Sequence, residues 1–97
     1  MTKIQRLQNH IRNVHQCDSS HLITTAVHYT NNRKISWLGD VEVFLLKDHP
    51  KAQLAYAWIY HNGSGEERDL AVLAIPPVDT ALDAVRNYLT KAAEKTE

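Results

Sequence analysis

Apolar residues recur with a helical period at the start of the chain. Ile4, Leu7, Ile11 and Val14 fall at i, i+3, i+7 and i+10, on one narrow stripe. Thr2, with Gln5 three residues on, has the reciprocal spacing of a capping box. Cys17, Asp18, Ser19 and Ser20 then offer side chains that compete with helical backbone bonds. A helix is therefore predicted over residues 3–16. From residue 21 the period changes. HLITTAVHYT (21–30) is rich in β-branched residues and reads as a strand, with Asn31 and Asn32 forming a tight connection. Residues 34–47 place Ile35, Trp37, Val41, Val43 and Leu45 on one parity and Lys34, Ser36, Asp40 and Glu42 on the other. Gly39 interrupts this alternation as a candidate bulge.

Asp48, His49, Pro50 and Lys51 make a turn before a third strand at 52–61. That strand sets Leu54, Tyr56, Trp58 and Tyr60 against Ala55, Ala57 and Ile59. Asn62, Gly63, Ser64 and Gly65 are a strong hairpin signal leading into a fourth strand at 68–75. Pro76 and Pro77 end it, and Asp79 or Thr80 caps a final helix at 79–94, with Asp83 three beyond Thr80. Leu82, Val85, Leu89 and Ala92 form the stripe of that helix. The pattern predicts one α+β domain over residues 1–97: helix, four-stranded antiparallel meander, helix, both helices packed on one sheet face. The predicted core is Ile4, Leu7, Ile11, Val41, Val43, Leu45, Leu82, Val85 and Leu89.

Composition narrows the class. The chain has 97 residues and no net formal charge, so no strong overall field draws it to nucleic acid or an anionic membrane. One cysteine, Cys17, excludes an intramolecular disulfide and suits a reducing compartment. No apolar run reaches the roughly 18 residues of a membrane span, and the polar N-terminus does not read as a signal peptide. The neutrality hides an asymmetry: Lys3, Arg6, Arg12, Arg33 and Lys34 oppose only Asp18 in the first third. That basic part offers an anion face at Lys3, Arg6 and His10. The alternative is that these charges meet the acidic remainder of the chain inside the fold or a homo-oligomer.

No catalytic signature occurs: there is no G-x-S-x-G, H-E-x-x-H, Walker loop or G-x-G-x-x-G. His10, His15, Cys17 and His21 are four candidate zinc ligands in twelve residues. Five helical residues rotate about 500°, however, which sets His10 and His15 apart rather than on one face. Asp40 and Glu42 point the same way from one strand, as an acid–base pair would, or as a solvated strand face would. No cofactor and no metal are expected. With both helices on one side of the sheet, Tyr56, Trp58 and Tyr60, joined by Phe44 and Leu46, form a candidate apolar partner face. The reverse register would instead bury the aromatics in the core.

Two resemblances bear on function. The helix–meander–helix layout resembles the double-stranded-RNA-binding domain, which touches RNA with its first helix and a basic patch at the start of its last. Here Pro76-Pro77-Val78-Asp79-Thr80 stands where that patch belongs, and the sheet has an extra strand. GDVEVF (39–44), HPKA (49–52), AYAW (55–58) and IPPVDTA (75–81) are similar to a small uncharacterised bacterial family without a known activity, over residues 37–90. It implies a bacterial, cytoplasmic protein and supplies no site. The function expected is a non-enzymatic protein-interaction module that self-associates through its sheet as a homodimer. The alternative is a weak double-stranded-RNA binder using the basic first helix.

Overall fold

A computed structural model describes residues 2–30, 36–61, 65–75 and 78–95. The first helix, α1 (Lys3–His15), starts as its sequence dictates. Thr2 Oγ1 accepts from the Gln5 amide at 3.1 Å, and the Gln5 side chain accepts from the Thr2 amide at 3.0 Å. The helix ends at Gln16, whose left-handed backbone (φ 56°) turns its amide back to the Arg12 carbonyl.

Four strands follow: β1 (Ser19–Thr30), β2 (Ser36–Leu46), β3 (Leu54–His61) and β4 (Glu67–Leu73), in one antiparallel sheet of order β1-β2-β3-β4. The register of β1 against β2 shifts between His21 and Ile23, so Leu22 is a bulge. The extra residue puts His21 and Thr24 on the same face, an odd spacing that a regular strand forbids. The expected bulge at Gly39 does not occur in this ladder, where Gly39 pairs with Val27. It serves another purpose: a Cβ there would sit 2.8 Å from the Trp37 ring, so the missing side chain lets the indole lie against the strand. The inner pair forks. β2 and β3 are paired only from Glu42–Ala57 to Leu45–Leu54, while residues 36–41 pair only with β1 and 58–61 only with β4.

The meander is as expected, but its coverage is not. The second helix, α2 (Ala81–Lys95), packs Ala81, Ala84, Val85 and Leu89 onto Val41, Val43, Tyr56 and Trp58. Helix α1 packs Leu7 and Ile11 onto Phe44, Leu46, Ala55 and Ala57. Adjacent residues of one strand point to opposite faces, so the helices lie on opposite sides of the sheet, and the expectation of both on one face is corrected. The physical reason is that β2 and β3 carry apolar residues on both parities. One layer of helix cannot bury both, and two can.

The turn after β2 is held by one side chain: His49 Nδ1 accepts from the Lys51 and Ala52 amides, both at 3.1 Å. Tyr56 donates its hydroxyl to the Asp79 carbonyl at 3.1 Å, fixing where α2 begins. Thr80 Oγ1 accepts from the Asp83 amide, as the capping spacing requires. Ile4 is half-buried, and Leu7, Ile11, Val41, Val43, Val85 and Leu89 are core as predicted. Leu45 and Leu82 are not, being 43% and 41% exposed. The predicted connections at Asn31 and Asn32, at Asn62, Gly63 and Ser64, and at Pro76 and Pro77 lie outside the described residues, as do the positions of Lys34 and Ile35 and the side chain of Ala92. Among the described residues no helix is long and apolar enough to cross a membrane.

Candidate functional site

The aromatic partner face does not exist as a surface. Phe44 and Leu46 lie under α1, and Tyr56 and Trp58 lie under α2. Tyr60 packs against Tyr88 of α2 with ring centroids 5.4 Å apart. Each of the two faces has its own helix, so the choice between an aromatic face and an alanine face was a false one. The anion face is also occupied. Lys3 Nζ is 3.3 Å from a Glu42 oxygen, and Arg6 reaches Asp69 at 2.6 Å and Glu67 at 3.7 Å. Burial pushes the His10 imidazole below its usual range, outweighing the opposite pull of Asp69. Lys3 and Arg6 thus meet acids of the later strands, Arg12 pairs with Asp18, and Arg33 and Lys34 lie outside the described residues. With the helices on opposite faces, the likeness in layout to the double-stranded-RNA-binding domain ends at the order of the elements.

The histidines disperse. His15 Nε2 is 3.1 Å from the Ala71 carbonyl on β4, and His21 turns to Glu42. Among the described residues, no three His, Cys, Asp or Glu side chains come together in a metal-holding group. Cys17 is half-buried, and burial, with a smaller effect from Asp18, pushes its thiol above the usual range, away from a reactive thiolate.

What the fold leaves open is an edge. The two outer strands differ sharply. β4 is short and opens with Glu67, Arg68 and Asp69; Arg6 and His15 of α1 reach across to it. Charges and a covering element of this kind are how sheet edges are kept from pairing. β1 has twelve residues and carries no Lys, Arg, Asp, Glu or Pro. His21, Leu22, Ile23, Thr24, Ala26 and His28 are exposed, and Ile23 is 57% so. Its protection is slight among the described residues: the bulge at Leu22, and Gln8 of α1 donating to the Ser19 carbonyl at 3.2 Å at the strand's start.

A buried carboxylate holds that edge in shape. Glu42, 1% exposed, faces the α1 side of β2. Its Oε1 accepts from Thr24 Oγ1 and from His21 Nε2, the latter at 2.8 Å, while Oε2 meets Lys3. An ionised carboxylate only accepts, so His21 carries its proton on Nε2. Both β1 partners flank the bulge, and one oxygen bridges them. Glu42 therefore ties the irregular part of the edge to β2 and to the first turn of α1. Asp40, two residues earlier, is exposed, so the two carboxylates share a face and not an environment. The role of Glu42 was missed in the sequence, although a lone acid inside the apolar run VEVFLL was a signal.

Burial alone would raise the Glu42 pKa. The hydrogen bonds from Thr24, His21 and Lys3, with the Lys3 charge, reverse this and hold it below its ordinary 4.5. A carboxyl depressed in the folded state adds stability above its ordinary value and loses it as pH falls through the folded one. Glu42→Gln keeps the shape but not the charge, and is expected to cost about 1–2 kcal/mol at pH 7. The gap between wild type and variant should close below pH 4.5 in urea titrations run across pH. A gap that persists unchanged to low pH would contradict an ionised Glu42.

Compared with protein-family models, with curated proteins and with solved structures, the chain matches none.

Proposed function

We propose that the protein is a non-enzymatic interaction module that self-associates by pairing β1 with β1 of a second copy. The observation that carries this reading is the uncharged twelve-residue edge of β1, exposed over most of its length, opposite a β4 edge that is charged and covered. An antiparallel β1–β1 contact generates a two-fold axis perpendicular to the sheet and joins two four-stranded sheets into one of eight. Opposed residues in such a pair share a face, so α1 of both copies lies on one side and α2 of both on the other. Zero net charge leaves little long-range repulsion between copies.

Lysines at two exposed edge positions test it. Ile23→Lys with Ala26→Lys places one new charge on each face of β1 without touching the core. Sedimentation equilibrium at tens of micromolar should give twice the 11.1 kDa chain mass for wild type and the single-chain mass for the double variant. Leu82→Lys, an exposed position on α2, should leave the dimer intact. Wild type sedimenting as a single chain, or the edge variant staying dimeric, would overturn the proposal.

A further inference from the structure

The fork between β2 and β3 is a second feature, separate from the β1 edge. Strand residues on both arms have ladder partners only on their outer sides. Two inner backbone edges therefore face one another across a gap, with N–H and C=O groups that a protein ordinarily pairs. The space between them is a cleft of about 460 Å³, within the range of ligand sites. The four β3 residues of the fork, 58–61, span about 13 Å at strand rise.

The two sides of this cleft differ in chemistry. On the α2 side the cleft is lined by Trp37, whose ring meets the buried Trp58 edge to face with centroids 6.2 Å apart. On the α1 side the cleft is lined by Leu38, Asp40, Ile59, His61 and Glu67, with Lys3 at the end nearest Glu42. Leu38 is 76% exposed, the most exposed of the large apolar residues described. Glu67 is reached by Arg6 at 3.7 Å and His61 at 3.5 Å, and Lys3 is held by Glu42, so Asp40 is the carboxylate best placed for an incoming cation.

We propose that this fork binds an extended peptide segment as an added strand, with apolar side chains toward Trp37 and basic ones toward Asp40. An extended chain supplies alternating N–H and C=O groups to both arms at once, and its own alternation matches the two sides. The occupant is a peptide of another protein, apolar and basic at alternate positions.

Trp37 lines the fork and touches Trp58, the chain's only other tryptophan, so the protein's own fluorescence reports occupancy. The probe is a capped six-residue peptide alternating valine and lysine. A saturable shift in tryptophan emission is expected, with matching heat in calorimetry. Methylating alternate backbone nitrogens removes donors but no charge, and should weaken binding at least about tenfold. Asp40→Lys, at an exposed position, should weaken it by a similar factor. The Ile23→Lys/Ala26→Lys variant should bind as wild type does, which separates the fork from the β1 edge whatever the state of assembly. No saturable binding, or equal binding of the N-methylated peptide or of one with its valines and lysines in two blocks, would overturn the proposal.

Discussion

Phe44→Glu is expected to leave the chain unfolded at room temperature. Phe44 has no exposed surface and packs with Leu7, Ile11 and Ala55 between the sheet and α1. Removing a buried phenyl ring alone costs about 3–5 kcal/mol. The new carboxylate would lie on the same face as Glu42, two residues away, in an apolar cluster, which adds several kcal/mol more. A domain of this length has roughly 5–15 kcal/mol in total. Far-UV circular dichroism without denaturant decides it. A native spectrum would mean that α1 does not seal this face. The same substitution on an open sheet face would only have separated two subunits.

Trp58 carries the largest single side chain of the opposite core. It is 1% exposed and packs edge to face against Trp37 and Tyr88. Trp58→Ala is expected to cost about 3–5 kcal/mol by urea titration, through lost contacts and the cavity left behind. Trp58→Phe should cost much less than its lost volume suggests, since the buried indole N–H has no hydrogen-bond partner in the structure. Phenylalanine removes that unsatisfied donor together with some packing. Equal losses for the two variants would show that the indole nitrogen is satisfied in solution.

How much of this was written in the sequence can be judged element by element. Helix α1 was legible to its cap, because Thr2 and Gln5 act through neighbours in sequence and need nothing from the rest of the chain. The strands and their order followed from period-two patterning and short connections. The side on which each helix packs did not follow from parity. The signal was the unbroken apolar run of Val43, Phe44, Leu45 and Leu46, with a second from Leu54 to Tyr60, which marks strands buried on both faces. Leu45 and Leu82 fit the apolar pattern yet fell outside the core, since pattern does not say how far neighbouring elements cover a side chain. The Glu42 cluster was hidden for another reason. His21 and Thr24 meet it only because Leu22 is bulged, and one extra residue leaves no mark in the local composition. The β1 edge was legible as an uncharged segment, but that it lies at the edge depends on strand order.

The opposite placement of the helices also sets the order in which the chain can assemble as it is synthesised. The hairpins join near neighbours, whereas α1 docks through Arg6 to Asp69, 63 positions away, and His15 to Ala71, 56 positions away. Closing a loop of that length costs roughly 1–2 kcal/mol more than closing a hairpin, and the reward comes only after β3 and β4 exist to receive the helix. Leu7 and Ile11 are made before every strand that receives them. Until β3 and β4 are made, the apolar stripe of α1 is therefore without its platform and open to chaperones.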